Sequence, residues 1–273
     1  MKKMEKILAG MRVEKKNRIN LSKRKTDSTD GVKDKKDARE QLAETTALID
    51  ELQYKLYAES KTALLVVFQA MDTAGKDGVI RKVFGPINPQ GVRVQSFKRP
   101  TPVELAHDYL WRIHRVAPAR GMIGIFNRSH YEDVLVHRVH KLTPADIIEE
   151  RYRQINDFER FLTENGTRIV KFFLHISKDE QKRRLQARLD NPKKRWKFEM
   201  GDLAERKLWD KYQDAYQIVL DKCSSKTAPW YVIPADNKWY RDWAVSNIIL
   251  QELESINPKY PKEEEGLDKV VVE

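Results

Sequence analysis

Residues 64–78 read LLVVFQAMDTAGKDG, an apolar run followed by a turn that contains two glycines. Five consecutive apolar residues are typical of a strand that is buried on both faces of a parallel sheet. The turn leads into a helical pattern that begins near Lys76. Strand, glycine-containing turn and helix in this order predict a phosphate-binding loop (P-loop), in which backbone N–H groups surround an anion at a helix N-terminus.

The remainder of the chain continues this alternation of strand and helix. Further strand candidates are residues 92–97, 122–126, 168–176 and 230–233, and helical patterns cover residues 33–59, 102–116, 144–164 and 203–220. Such alternation predicts an α/β fold with a doubly wound parallel sheet. In sheets of this kind ligands bind beyond the carboxyl ends of the strands. The residues that directly follow each strand are therefore the first candidates for a functional site.

The P-loop candidate supplies both a cation and backbone donors for phosphate. Lys76 places a mobile positive charge at the start of the helix. The backbone positions expected to face phosphate are Thr73, Ala74, Gly75 and Gly78. A structural turn without a ligand is the alternative, but its position between a buried strand and a helix favours the phosphate site.

Two carboxylates distinguish this loop from the common pattern G-x-x-x-x-G-K-[ST]. Ala70 replaces the first glycine, Asp77 replaces the hydroxyl residue, and Asp72 lies inside the loop. In ordinary P-loop enzymes the hydroxyl at the position of Asp77 binds Mg²⁺. Two carboxylates repel a phosphate chain unless a cation lies between them. The spacing therefore predicts a site for one or two Mg²⁺ ions that is unusually rich in carboxylate.

A second polar segment, FNRSHYED at residues 126–133, follows the third predicted strand. Its side chains are expected to face the same crevice as Lys76, because the carboxyl ends of parallel strands meet at one edge of the sheet. Arg128 is suited to clamp phosphate, and Asp133 to hold a metal ion or accept a proton. A solvated strand end without function is the alternative for this segment alone.

A basic segment at residues 177–207 has the position of a kinase lid. Arg184 and Arg188 are four residues apart, so they share a helix face, and Asn191-Pro192 ends the helix. P-loop kinases carry a mobile cover with arginines at this place. A solvated charged helix remains the alternative.

The net charge of +11 is concentrated in two segments of the chain. Residues 1–40 contain 14 Lys and Arg against 7 Asp and Glu, and residues 177–207 contain 11 against 6. This distribution predicts a polyanionic partner. A nucleic-acid-binding module would interleave aromatic residues with the basic ones, but none precedes Lys33. We therefore expect no nucleic-acid partner.

The composition also bounds the cellular location. The chain contains no apolar run that approaches the roughly 18 residues of a membrane span, so we expect no membrane partner. Cys223 is the single cysteine, which is typical of a protein from a reducing compartment. The expected location is the cytoplasm.

Three regions follow from these patterns. Residues 1–32 form a basic arm that is either disordered or docked on the body, residues 33–257 form the kinase domain with its lid at about 177–207, and residues 258–273 form an acidic tail. The arm lies outside every motif. We therefore expect its removal to leave catalysis largely intact.

With these motifs in this order, the chain resembles the polyphosphate kinase 2 family from roughly residue 37 to residue 257. The resemblance rests on FQAMDTAGKDG (68–78), SFKRPT (96–101), FNRSHYED (126–133) and KRWK (194–197). It implies a thymidylate-kinase-like P-loop kinase core with a helical lid, Mg²⁺ dependence and a homo-oligomer, either a dimer or a tetramer. It also implies phosphoryl transfer between inorganic polyphosphate and the nucleotides AMP, ADP and ATP.

The resemblance also assigns roles to individual residues. Asp72, Asp77 and Asp133 match the acids expected to hold metal, and Lys76 and Arg128 match catalytic cations. The catalytic lid arginine is expected to be Arg184 or its neighbour Arg183, and Arg188 lies on the same phosphate-binding helix. The nucleotide is expected to contact Lys98, Arg99 and Asn127.

Asn127 stands where relatives of other subgroups often have an acid, and the segment around it resembles the subgroup that phosphorylates both nucleoside mono- and diphosphates. An ATP-dependent nucleotide or small-molecule P-loop kinase is the alternative function. Such enzymes normally keep Ser or Thr at the position of Asp77. An inactive scaffold is disfavoured because all the acidic and basic site residues are present.

Overall fold

The computed structural model describes residues 2–14, 19–267 and 270–272, with side chains from Met4 onward. The strands in these ranges are β1 (Ala63–Ala70), β2 (Val92–Ser96), β3 (Ile123–Asn127), β4 (Thr167–His175) and β5 (Trp230–Pro234). They form one parallel sheet in the order β2-β3-β1-β4-β5. The predicted α/β fold with a doubly wound parallel sheet is confirmed.

Helices cover both faces of this sheet. They are α1 (Lys2–Met11), α2 (Lys35–Glu59), α3 (Lys76–Val83), α4 (Pro102–Leu105), α5 (Trp111–His114), α6 (Glu132–Val139), α7 (Ala145–Glu164), α8 (Lys178–Leu189), α9 (Met200–Lys207), α10 (Trp209–Cys223) and α11 (Lys238–Ile256), with short 3₁₀ helices at Leu21–Lys23, Pro89–Gly91 and Pro192–Lys197. With the right-handed crossovers expected of parallel sheets, α3 lies on one face, where it packs against α11, which in turn packs against α2, and α6, α7 and α10 pack together on the other face. Among the helices described, none is long and apolar enough to cross a bilayer.

The position of β1 in the sheet determines where a ligand binds. Every residue of β1 is buried, as the apolar run predicts, and the strand lies between β3 and β4. Phe68 pairs with Asn127 on one side and with Phe172 on the other. From neighbouring strand ends the chain leaves β1 toward one face and β3 toward the opposite face. This divergence creates the crevice in which doubly wound sheets bind ligands.

Two predicted helices are divided in the observed structure. The pattern at residues 203–220 falls into the end of α9 and most of α10, with Leu208 between them. The pattern at residues 102–116 forms two four-residue helices, α4 and α5, instead of one continuous helix. The Asp108 carboxylate accepts the backbone N–H groups of Leu110 and Trp111 at 3.0 and 3.1 Å. An Asp side chain that bonds nearby backbone donors in this way competes with helix continuation. The local turn therefore prevails over the apolar periodicity.

The described part of the N-terminal arm is docked on the body. Leu8 and Met11 of α1 are buried, and Arg12 forms an antiparallel bridge with Tyr231 of β5. Val13 donates its N–H to the Trp230 carbonyl at 2.8 Å. The arm thus covers the outer edge of β5, which would otherwise expose unpaired backbone groups. Residues 15–18 of the predicted arm lie outside the described residues.

A buried histidine makes the fold sensitive to acid. His175 ends β4 with 6% of its surface exposed, and burial lowers its pKa from 6.5 to about 4. In the unfolded chain the same imidazole takes up its proton near pH 6.5. The neutral form therefore contributes its full stabilisation above pH 6.5, and this contribution is lost as the pH falls toward 4.

Replacing His175 with Gln should flatten the pH dependence of stability between pH 6.5 and 4. We expect the free energy of unfolding of the wild type to fall over this range by up to about 3 kcal/mol more than that of the variant. Urea denaturation at several pH values measures the difference. His107→Gln, at an exposed imidazole, is the control. Parallel pH profiles for the wild type and the His175 variant would contradict the prediction.

Candidate active site

The loop between β1 and α3 has an unusual backbone. Gly75 has φ +104°, which residues with a side chain rarely adopt, and a Cβ atom there would lie 2.1 Å from Nη1 of Arg241, so a side chain would be strained and would displace this guanidinium. Thr73 has φ +67°. The left-handed region is unfavourable for a β-branched residue. The loop therefore keeps this conformation only because its surroundings hold it.

Side chains from α8 and α11 hold three consecutive carbonyl groups of this loop. Gln181 donates to the Asp72 carbonyl at 3.1 Å, and Arg184 donates to the carbonyls of residues 73 and 74 at 3.0 and 2.9 Å. Arg241 also donates to the carbonyl of residue 74, at 3.0 Å. In a planar trans peptide the N–H points away from the C=O. Holding these carbonyls on the outside therefore turns the N–H groups of Thr73 and Gly75 toward the inside of the loop, as an anion site requires.

Lys76 lies at the first position of α3, and its ammonium donates to the Ala70 carbonyl at 3.2 Å. Burial and the nearby Arg128 lower the pKa of Lys76, against the opposing effects of Asp72 and Glu132. A desolvated ammonium next to another cation is stabilised by an incoming anion. The charge at this point is therefore suited to bind phosphate oxygens.

The segment after β3 contacts the P-loop directly. Asn127 donates its side-chain amide to Oδ1 of Asp77 at 2.7 Å, and Nη2 of Arg128 lies 3.1 Å from Oδ1 of Asp72. Arg128 has φ +63°, and its N–H donates to the Phe68 carbonyl at 3.0 Å. The structure thus brings together Asp72, Lys76, Asp77, Asn127 and Arg128 at the carboxyl edge of the sheet, as the sequence predicts.

Asp133, in contrast, faces away from this group. Its carboxylate is 5% exposed and lies within 4.0 Å of Arg112 and 3.9 Å of Arg151, with His137 at 3.5 Å. Burial raises its pKa, while the two arginines lower it. Within the described residues, its ion pairs are to these three side chains and none is to the P-loop. This geometry departs from the expectation that Asp133 holds a metal ion beside the loop.

Glu132, the neighbour of Asp133, is the carboxylate that faces the loop. Burial raises its pKa, and Arg128 and Lys76 are the cations that oppose this effect. Consecutive residues on a helix point about 100° apart, so only one of the two acids can face the crevice. The sequence offers two adjacent acids at the start of α6, and periodicity alone does not show which of them faces the loop.

A buried polar network supports the segment that carries Arg128 and Glu132. Glu159 of α7 accepts the Tyr131 hydroxyl at 2.8 Å and lies 3.3 Å from Nε2 of His130. Lys171 of β4, which is fully buried, donates to Glu159 and to the Tyr131 hydroxyl. His130 is therefore fixed as part of an internal ion network. No group of three His, Cys, Asp or Glu side chains with the geometry of a metal site occurs among the residues described.

Asp72 and Asp77 fit a magnesium ion that is shared with phosphate. Each uses Oδ1 in a hydrogen bond, to Arg128 and Asn127 respectively, and in the described part of the chain neither Oδ2 has a partner. Protein sites typically hold Mg²⁺ by one or two carboxylates together with substrate phosphates and water. The carboxylate of Asp133, which already faces two arginines and a histidine, does not fit this set.

The arginines of the basic helix α8 differ in how firmly they are held. Arg184 is 6% exposed and uses all five N–H donors: one bonds Glu180, two bond the carbonyls of the P-loop, and two bond the carbonyls of residues 235 and 236. This geometry departs from the expected role of Arg184 as a catalytic lid arginine. Arg183 is exposed and pairs with Glu180, and Arg188 donates to the carbonyl of Lys197 at 3.1 Å.

Lys98 and Arg99 lie in the exposed turn after β2. Because β2 pairs with β3, with Ser96 opposite Asn127, this turn lies at the same edge of the sheet as the P-loop. The Lys98 carbonyl accepts a bond from Arg112 at 3.0 Å, which fixes the turn and leaves the Lys98 side chain exposed. A nucleotide contact by Lys98 and Arg99 remains a prediction.

Comparisons with known proteins agree with this geometry. The family model of polyphosphate kinase 2 matches residues 32–261. An AMP/ADP-polyphosphate phosphotransferase from Meiothermus ruber is 53% identical over 263 residues, which are 96% of this chain and 98% of that protein. An ADP-polyphosphate phosphotransferase from Rhodopseudomonas palustris is 50% identical over 78% of each chain. The crystal structure of polyphosphate kinase 2 from Arthrobacter aurescens TC1 aligns with a TM-score of 0.92 at 48% identity, covering 95% of this chain and 93% of that one.

Asp133→Asn should behave as the loss of a buried ion-pair partner. We expect the free energy of unfolding to fall by about 3 kcal/mol, because Arg112 and Arg151 lose their shared buried counter-charge. Asp77→Asn, at an exposed carboxylate, is the control and should change stability by less than about 0.5 kcal/mol. Urea denaturation of both variants provides the measurement. If the Asp133→Asn protein is as stable as the wild type but needs far more magnesium for activity, the prediction is wrong and Asp133 is a metal ligand.

Proposed function

Because this chain belongs to the polyphosphate kinase 2 family, we propose that it transfers the terminal phosphoryl group of inorganic polyphosphate to ADP and AMP, with Mg²⁺ as the metal. The observation that carries the proposal is the set of charged and polar side chains at the P-loop. Asp72 and Asp77 lie on either side of Lys76, and Asn127 bonds Asp77 from β3. This set binds a chain of phosphates and the metal that accompanies it.

The residues of the site act mainly by position and charge. The N–H groups inside the loop and Lys76 bind non-bridging phosphate oxygens, and Arg128 neutralises charge from the side of β3. Asp72 and Asp77 would hold the Mg²⁺ ion, which would supply positive charge to the phosphate oxygens. Glu132 lies close to Lys76 and Arg128, and these two cations oppose the rise of its pKa on burial.

The chemical step requires no covalent enzyme intermediate. An oxygen of the nucleotide's terminal phosphate forms a bond to the end phosphorus of polyphosphate, while the bond from that phosphorus to its bridging oxygen breaks. The electron pair of the broken bond stays on the polyphosphate, which leaves one phosphate shorter. A phosphate nucleophile is already ionised at neutral pH, so the site needs no strong general base. Alignment of the two phosphates and stabilisation of their charge supply the rate enhancement.

The use of both AMP and ADP is supported by Asn127. As an amide, Asn127 can donate a hydrogen bond to Asp77, which an unprotonated acid at this position cannot do. One carboxylate fewer at the end of β3 also lowers the repulsion felt by a second phosphate group. The relative from Meiothermus ruber, whose name includes both acceptors, agrees with this proposal.

Location and assembly are further parts of the proposal. A cytoplasmic location is supported by Cys223, which is a buried free thiol. A homo-oligomer, either a dimer or a tetramer, is suggested by the family resemblance. Light scattering of the purified protein measures the assembly directly.

Purified protein should form ATP from ADP and long-chain polyphosphate, and ADP followed by ATP from AMP. We expect both reactions to require a divalent cation, because Asp72 and Asp77 otherwise repel the phosphate chains. Nucleotides separated by chromatography, with and without excess EDTA, provide the readout. Strong phosphorylation of ADP in EDTA would remove the metal assignment, and activity with ADP but never AMP would refute the role of Asn127. Transfer from ATP alone, with polyphosphate inert, would favour the ATP-dependent alternative.

Lys76→Ala should lower turnover by at least about a hundredfold with little change in the melting temperature, because the ammonium acts on phosphate and, in the described part of the chain, makes one hydrogen bond, to the Ala70 carbonyl. Lys82→Ala, at an exposed position on the same helix, is the matched control and should keep full activity. Asp77→Ser restores the hydroxyl of ordinary P-loop enzymes and should be strongly impaired with polyphosphate. If it keeps nearly full activity, a carboxylate is not required there.

A further inference from the structure

We infer that the N-terminal arm positions the P-loop through a relay of hydrogen bonds that runs from Thr26 by way of Asp236 to Arg184. As a statement about turnover, this inference rests on the proposed function; as a statement about the shape of the loop, it does not. It stands against the expectation, drawn from the sequence, that removal of the arm leaves catalysis largely intact.

The arm is anchored to the segment between β5 and α11. The Thr26 hydroxyl donates to Oδ2 of Asp236 at 2.7 Å, and the Thr26 backbone carbonyl accepts the Asp236 N–H at 3.0 Å. Asn237 donates its side-chain amide to the Asp27 carbonyl at 3.0 Å, and Tyr240 donates its hydroxyl to the Asp30 carbonyl at 2.9 Å. We call the three arm residues Thr26, Asp27 and Asp30 the arm anchor.

Asp236 connects the arm anchor to α8. Its second carboxylate oxygen, Oδ1, accepts the N–H of Ser177, the residue that caps the N-terminus of α8, at 2.8 Å. Its backbone carbonyl accepts a bond from Arg184 at 2.8 Å, next to the bond from Arg184 to the Ala235 carbonyl at 2.6 Å. One residue therefore fixes both the start of α8 and the far side of the guanidinium group.

Arg184 couples the position of Asp236 to that of the P-loop, because all five of its N–H donors are already bonded. Its fork is planar and rigid, and its five donors have five acceptors on three elements. If Asp236 shifts, Arg184 must either follow it or give up a bond to the carbonyl of residue 73 or 74. The carbonyl of residue 74 is the one whose outward direction turns the Gly75 N–H toward the inside of the loop.

The P-loop is expected to change conformation when this support weakens, because its backbone is strained at Thr73. Thr73 is held at φ +67°, a conformation that a β-branched residue leaves when it is free to do so. Its Oγ1 atom is buried and, among the described residues, has no hydrogen-bond partner. The local sequence thus does not stabilise the working shape, and contacts from outside the loop must maintain it. The arm anchor contributes to this support through Asp236 and Arg184.

Thr26→Val tests the relay because it removes the hydroxyl and keeps the shape of the side chain and the backbone bond to Asp236. Thr29→Val is the matched control: Thr29 belongs to the same arm, but its hydroxyl makes no hydrogen bond in the described part of the chain. Two readouts are needed. The first is hydrogen–deuterium exchange of a peptide that spans residues 71–80, in the protein without ligand. The second is steady-state kinetics with polyphosphate and ADP.

We expect Thr26→Val to accelerate exchange in the P-loop and to lower kcat about threefold to tenfold, with a smaller change in KM. Thr29→Val should change neither. In an Arg184→Lys background, Thr26→Val should add little further loss, because both changes interrupt one relay. If Thr26→Val lowers the melting temperature but leaves P-loop exchange and kcat unchanged, the arm is merely structural and the inference fails. If the wild type does not use polyphosphate, the proposed function fails, while the exchange experiment still decides the relay.

Discussion

The five hydrogen bonds of Arg184 are the constraint on which the site depends. They join the P-loop, α8 and the segment after β5, three elements that are far apart in the sequence. A buried guanidinium carries a large desolvation cost, which is offset only when every donor is paired. Here that requirement is met mainly by backbone carbonyls, so the charge of one side chain stabilises a loop geometry that the loop's own residues do not favour.

The second half of the site is supported in a similar way from α7. Glu159 of this helix binds Tyr131 and Lys171, and Arg151 of the same helix pairs with Asp133. The segment that presents Arg128 and Glu132 is thus fixed at both ends by buried charges. Two helices, α7 and α8, therefore hold the two strand ends whose side chains meet. Catalytic groups need such support because small displacements are costly for alignment.

The sequence was sufficient for the fold and for the residues nearest the phosphate, because both have local signals. The buried run before Lys76 and the polar segment after the third strand could be placed at one sheet edge by topology alone. What the sequence could not supply was the direction of side chains on helices. Whether Asp133 or Glu132 faces the loop depends on helix phase, and the pairing of Arg184 depends on carbonyl groups that lie about 110 and 50 residues away.

The contact between Thr26 and Asp236 also has a consequence for synthesis of the protein. The two residues are 210 positions apart, so the arm leaves the ribosome long before its partner exists. Contacts of such long range form late, because a large loop must close first. During translation the P-loop motif is therefore complete while its support is still absent. A nascent chain that has not reached the segment after β5 carries the motif without this support, and the supported loop geometry can form only after that segment has been synthesised.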